Sequence, residues 1–415
     1  MIYRENFYMQ QLLHTPEGVR DYYNGECAAK LVTGSKLAHV FGLYGFQSIQ
    51  TPTFEYFDIF NAERGSVASK EMYKFFDRDG ETMVLRPDFT PSIARCAAKY
   101  FGQEKLPIRL CYQGNIYINN LSYQGRLKES TQAGAELIGD DSLAADAEML
   151  AMVVDCLKSV GLTEFQVEVG QVDFFNGLME EAGLAEDQIR ELRSLIESKN
   201  RFGVELMLNE LSLSEDLIAA ISALPRLFGS AEQVFPEARR LTENPLALAA
   251  VTRLEKIYEL MKAYGMDKYI SFDLGMLGNY RYYTGIIFKG YTYGTGDCIV
   301  TGGRYDNLMA QFGKDAPSIG FGIAVDTLMS ALMRQKICVP VEDGGILLVY
   351  EKEHLERAIR LAGSYRTAGI RVSMMEDLDD AECMIRYAKE NHISEILILD
   401  MAADAVRTVW KREAI

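Results

Sequence analysis

Gln132 and Glu136 stand four residues apart in the run TQAGAELIG, with Gly134 midway between them. In an extended strand alternate residues point the same way, so an amide and a carboxylate share one face. The glycine between them leaves space above the sheet. That arrangement suits a small ligand with donor groups, such as an amino acid. An ordinary solvent-facing strand alternates in the same way, and taken alone the stretch favours that plainer reading.

The elements that must position this pair are legible from periodicity. Leu110, Tyr112, Gly114, Ile116 and Ile118 also share a face. The polar stretch Asn119 to Gly125 is too long for a two-residue turn, so the spacing predicts a hairpin with a long loop. Upstream, Glu26 to Tyr44 has helical periodicity and stops at Gly45. Phe46 to Glu55 reads as one strand, with Pro52 placing it at an edge or a strand end, and an edge strand after a long helix is a plausible dimer surface. Met72 to Phe76 and Thr82 to Leu85 pair across Asp77-Arg78-Asp79-Gly80. Thr90 is placed to cap a helix that has Pro91 at its first position and runs to about Tyr100.

Beyond the central hairpin, Leu143 to Val160 is helical and Phe165 to Val172 extended. Residues 176–266 form a helical insertion between two parts of one sheet. Ile270 to Leu274 resumes that sheet, Tyr282 to Phe288 and Asp297 to Thr301 form a hairpin, and Ser318 to Ile323 leads into the helix Val325 to Gln335. Cys338 to Gly345 reads as a linker. The remainder alternates strand and helix, predicting a small parallel α/β domain over residues 344–415 behind a core of residues 1–337.

The 415 residues carry 43 basic against 59 acidic side chains, a formal net charge of −16. Such a surface does not favour a nucleic-acid partner, because phosphate binding needs clustered Lys and Arg. The seven cysteines (27, 96, 111, 156, 298, 338 and 383) form no C-x-x-C pair, and none of the four histidines stands near one at metal spacing. Buried thiols in a reducing cytoplasm are expected, with no metal, no disulfide framework and no cofactor. No apolar run is long enough for a membrane span, and no secretory leader is expected.

Six ordered segments resemble the histidyl type of class II aminoacyl-tRNA synthetases. TPEGVRD with FGLYGFQSIQTPTFE is similar to the first motif of that family, LRPDFTPSIAR to its LRPE-x-T segment, and the central hairpin with QAGAELIG to its second motif. YYTGIIF and TGGRYDNL resemble the two histidine-specific segments, and GFGIAVDTL the third motif. The tail resembles the anticodon-binding domain. The resemblance implies an α+β fold: an antiparallel sheet core flanked by helices, with a helical insertion and a small C-terminal α/β domain. It also implies a histidine pocket, with Asp88 (where the family has Glu), Thr90 and Gln132 around the ammonium, and Glu136, Tyr283 and Tyr305 around the imidazole. A pocket inherited by ancestry that no longer binds is the competing reading.

Adenylation needs guanidinium or metal clamps on the phosphoryl oxygens. The three positions where the resemblance implies arginines hold Ile118, Gly278 and Thr327, and Asn120 stands where an acidic residue is expected. Arg281, three residues from Gly278, falls on the opposite face of an extended strand and is a poor substitute. Arg126 and Lys128 lie in the hairpin loop as possible anion contacts, and Arg304 is read as support for the fold through a local ion pair. One lost oriented donor costs ~3 kcal/mol of transition-state stabilisation, so the loss of three is expected to leave no useful adenylation. In the tail, Glu376, Asp377, Asp379, Asp380 and Glu382 would repel an RNA backbone.

A synthetase-like body without an ATP clamp resembles the family of ATP phosphoribosyltransferase regulatory subunits. That resemblance implies a short-form catalytic subunit as partner, a homodimeric core within a hetero-octamer, and histidine as effector of the first step of histidine biosynthesis. The rival readings are a histidyl-tRNA synthetase with a rebuilt ATP site and a stand-alone histidine-binding protein.

Overall fold

The alternating hairpin is realised as the two longest strands of the computed structural model, which describes residues 13–60, 67–105, 107–120, 126–278, 283–341, 344–377, 380–400 and 405–412. The strands are β1 Gln47–Ser48, β2 Phe54–Tyr56, β3 Lys74–Phe76, β4 Thr82–Leu85, β5 Ile108–Tyr117, β6 Glu129–Ile138, β7 Phe165–Gln171 and β8 Phe228–Gly229. They continue as β9 Ile270–Asp273, β10 Ile286–Thr292, β11 Val300–Arg304, β12 Ser318–Ala324, β13 Ile346–Tyr350, β14 Val372–Glu376, β15 Glu395–Asp400 and β16 Ala405–Lys411. The α-helices are α1 Asn24–Leu43, α2 Thr90–Tyr100, α3 Leu143–Ser159, α4 Val172–Ala182, α5 Glu186–Glu197 and α6 Arg201–Asn209. After these come α7 Glu215–Ala223, α8 Ala231–Leu241, α9 Pro245–Ala263, α10 Val325–Arg334, α11 Leu355–Thr367 and α12 Ala381–Glu390.

Nine strands form the main sheet in the order β1-β5-β6-β12-β11-β10-β7-β9-β8. Its centre, from β5 to β7, is antiparallel throughout. The strand expected over Phe46 to Glu55 is broken: β1 runs parallel to β5, whereas β2 joins a separate three-stranded sheet with β4 and β3. Pro52 falls in the break, where its missing N–H costs no ladder bond. The β3–β4 turn forms as expected, with Asp77 Oδ1 accepting from the Asp79 and Glu81 amides at 2.9 Å each. The β10–β11 hairpin is displaced along the chain from its predicted bounds: Gly290 pairs with Val300, and the two strands run to Thr292 and Arg304.

Helices α3 and α9 start at side-chain caps. Ser142 Oγ accepts from the Ala145 amide ahead of α3, and Asn244 Oδ1 accepts from Leu246 and Ala247 with Pro245 opening α9. The insertion is helical apart from short pieces, one being β8, which pairs with β9 at the sheet edge. Arg304 makes a local ion pair with Asp306 at 3.3 Å, as read from the sequence, but its closer partner lies far along the chain. Arg304 is buried, and its guanidinium meets the fully buried Asp146, which Arg253 of α9 also holds. A buried carboxylate shared by two guanidiniums meets the requirement that buried charges be paired.

The chain divides into two units. One comprises the described residues up to Arg20 together with Thr33–Cys338; the other comprises Asp21–Val32 and the residues from Val339 onward. The first part of α1 thus groups with the smaller unit rather than with the core expected over residues 1–337. The smaller unit has the sheet order β14-β13-β15-β16. Its first three strands are parallel, but β16 pairs antiparallel with β15, so the sheet is mixed rather than parallel. Among the described residues no helix is long and apolar enough to cross a membrane.

Candidate functional site

Gln132 and Glu136 lie on β6, on the face shared with Tyr112 and Gly114 of β5. β12 pairs along the other side of β6, setting Gly320 opposite Glu136 and Gly322 opposite Gly134. Two residues without side chains make this possible. A methyl group at Gly320 would overlap the Glu136 carboxylate, and one at Gly322 the Gln132 amide. Both polar side chains therefore lie flat across the next strand. The space above Gly134 is not open, contrary to expectation: the Tyr112 hydroxyl fills it. Tyr112 is held there by stacking on Phe89, with ring centroids 4.3 Å apart.

Thr90 departs from its predicted role. It is the first residue of α2, and its hydroxyl donates to Glu136 Oε1 at 2.8 Å instead of capping the helix. Asp88 supplies the cap-like acceptor, with Oδ1 taking the Phe89 amide at 2.7 Å and the Thr90 amide at 3.4 Å. The helix start thus fixes the Asp88 carboxylate beside the sheet.

The six residues expected around an amino acid come together. Asp88, Thr90, Gln132, Tyr283 and Tyr305 line a cavity of about 30 Å³ with Tyr112, Thr301, Gly320, Phe321 and Gly322. Glu136 does not line the cavity itself but is bonded to two residues that do, Thr90 and Tyr305, whose hydroxyl donates to Oε2 at 2.5 Å. Glu136 is 1% exposed. Burial pushes its carboxyl up to about 8, the two hydroxyl donors pull it down, and nearby Asp88 raises it further. Burial and the Glu136 charge both drive the Tyr305 phenol well above its ordinary value. Gln132 Oε1 is buried and has no hydrogen-bond partner among the described residues. An orphaned acceptor beside a carboxylate is the arrangement an ammonium donor would satisfy.

Tyr112, Thr301, Gly320 and Gly322 were not singled out as site residues from the sequence. Tyr112 lay on the correct face of β5, but its closeness to Gly134 depends on cross-strand register.

The three positions of missing arginines differ in setting. Ile118 follows β5 and its amide bonds to the Lys128 carbonyl at 2.9 Å. Thr327 is half-buried in α10. Gly278 has φ +74°, in the left-handed region, and a Cβ there would stand 3.0 Å from the Tyr283 ring. That backbone disfavours any side chain. Arg281, Tyr282 and Asp379 lie outside the described residues, as does the loop from Leu121 to Gly125. Arg126 and Lys128 do not line the cavity. Arg126 pairs with Asp297 at 3.2 Å, both exposed, and the Lys128 amide bonds to the Gly18 carbonyl. Among the described residues no group of three His, Cys, Asp or Glu side chains gathers as a metal-ligand set.

Residues 18–328 match the family described as histidyl-tRNA synthetase. A relative from Acetivibrio thermocellus, named ATP phosphoribosyltransferase regulatory subunit, is 38% identical over 389 residues, covering 94% of this chain and 93% of its own. A protein of the same name from Clostridium novyi is 36% identical, with 93% and 92% covered. Among solved structures, one from Bacillus halodurans, titled an ATP phosphoribosyltransferase regulatory subunit/histidyl-tRNA synthetase, superposes with a TM-score of 0.81 at 31% identity, covering 90% of this chain and 96% of that one. A histidyl-tRNA synthetase from Nostoc sp. shares the fold, with a TM-score of 0.78 at 20% identity and 96% of each chain covered.

Proposed function

The chain belongs to the family of ATP phosphoribosyltransferase regulatory subunits, built on the histidyl-tRNA synthetase fold, and from that premise we propose that it activates a separate short-form catalytic subunit and carries histidine feedback to it. Catalysis then resides in the partner, which joins ATP to phosphoribosyl pyrophosphate. The assembly we propose is a cytoplasmic hetero-octamer around homodimers of this chain.

The observation that carries the reading is position 278. The amino-acid side of the pocket is furnished, with Asp88, Thr90, Gln132, Glu136, Tyr283 and Tyr305 gathered together. The place where adenylation would need a guanidinium instead holds a left-handed glycine pressed against Tyr283. A site that binds an amino acid without activating it is a sensor. Histidine can shift the complex only by binding its inhibited state more tightly than its active one.

The test is phosphoribosyl-ATP formation by a short-form catalytic subunit of the same organism, with and without this chain and with and without histidine. Strong activation, reversed by histidine, is expected. No activation overturns the proposal, and histidine-dependent exchange of pyrophosphate into ATP would then identify a synthetase. Inhibition that survives both Glu136→Ala and Tyr283→Ala would place the sensor elsewhere.

A further inference from the structure

The amino-acid cavity is too small for the whole of its proposed ligand. About 30 Å³ holds roughly two waters, whereas histidine has a five-membered ring, an ammonium and a carboxylate. It also lacks a base: its charged lining residue is Asp88, and a zwitterion brings one negative group that needs neutralising. Both deficits are made good next door. A second cavity of about 170 Å³ shares Tyr283 and Thr301 with the first and is lined further by Met276, Gly278, Ile287 and Lys289.

Lys289 is the sole base among the described lining residues of the two cavities. Its register fixes where it stands. Lys289 of β10 pairs with Thr301 of β11, which pairs with Gly322 of β12, over which the Gln132 amide lies. The lysine therefore rises from the same sheet face as the ammonium acceptors, two strands or about 10 Å from Gly322. Among the described residues it has no hydrogen-bond or ion-pair partner, although the Glu168 and Glu197 carboxylates feel its charge. An amino acid with its ammonium at Asp88 and Gln132 would lay its carboxylate over Thr301, within reach of a four-carbon stem.

We propose that Lys289 binds the α-carboxylate of the amino-acid ligand, and that the second cavity is the acid end of one continuous site. This rests on the reading of the pocket as a histidine site. The site thereby requires a free amino acid, with both termini charged.

The test is calorimetric titration of the full chain with L-histidine and with L-histidinamide, whose carboxylate is replaced by a neutral amide. Titrations at about pH 6.5 keep the ammonium on both ligands. The wild type is expected to prefer histidine by at least about tenfold, the worth of one charged hydrogen bond. In Lys289→Met that preference collapses to within about twofold, and in Lys289→Arg it persists. Unchanged thermal unfolding would show that the variants remain folded. A preference that survives in Lys289→Met, or equal binding of both ligands by the wild type, overturns the carboxylate assignment and leaves the histidine reading standing. Binding of neither ligand by the wild type overturns both.

Discussion

Glu136→Gln should flatten the dependence of stability on pH. In the folded chain Glu136 is 1% exposed, and its carboxyl is pushed from about 4.5 up to about 8. The folded state therefore holds this proton at pH values where the unfolded chain has released it. The stabilisation from the bound proton is fully present below about pH 4.5 and is lost as pH rises through about 8. Within that window one proton separates the two states, so stability falls by about 1.4 kcal/mol per pH unit. From pH 5 to 7.5 the wild type should lose about 3 kcal/mol on this account. Glutamine keeps the shape and never ionises. It puts an amide donor before one of two hydroxyls, Thr90 or Tyr305, and either can rotate to accept. At pH 5 the substitution should therefore cost only about 1 kcal/mol. By pH 7.5 the variant should be the more stable protein, by about 2 kcal/mol. Urea unfolding at half-unit pH steps reads both curves. Parallel curves would refute the reasoning, because the titrating group would then be another residue.

Three further outcomes follow from the same contacts. Tyr305→Phe removes the 2.5 Å bond to Glu136 and should cost about 1–3 kcal/mol, while moving the fall in stability to higher pH, because that bond holds the Glu136 carboxyl down. Gly320→Ala drives a methyl group into the Glu136 carboxylate; it should destabilise the fold by about 1–3 kcal/mol in urea and abolish histidine binding by calorimetry. Arg304→Met leaves Asp146, fully buried, with Arg253 as its remaining charged partner; a loss of about 3–5 kcal/mol is expected in thermal or urea unfolding.

What could be read from the sequence was whatever depends on neighbours a few residues away. The face shared by Gln132 and Glu136 follows from the two-residue repeat of a strand, and the β3–β4 turn from the aspartates and glycine of Asp77-Arg78-Asp79-Gly80. What escaped depends on partners far along the chain. Thr90 carries every mark of a cap, yet its hydroxyl turns to a carboxylate 46 positions away. The room expected above Gly134 is taken up by Tyr112, because only the register decides what stands opposite. β16 was missed although Val406, Thr408 and Trp410 alternate. The run follows an apparently finished strand–helix rhythm, and its pairing with β15 reverses that rhythm's direction. The burial of Glu136 was invisible because it is imposed by Gly320, Tyr305 and Thr90 from three other segments.

The seam between β6 and β12 has a consequence in time. Glu136 and Tyr305 are 169 positions apart, and the whole helical insertion lies between them. Closing so long a loop is entropically slow, and contacts of this range form after local hairpins and helices have condensed. The β5–β6 hairpin can exist early, with Glu136 still in water and ionised at neutral pH. Only when β12 docks does the carboxyl lose its solvent and take up a proton. Refolding should therefore draw a proton from solution in its last phase, so a pH indicator dye in a stopped-flow mixer would time the birth of the pocket.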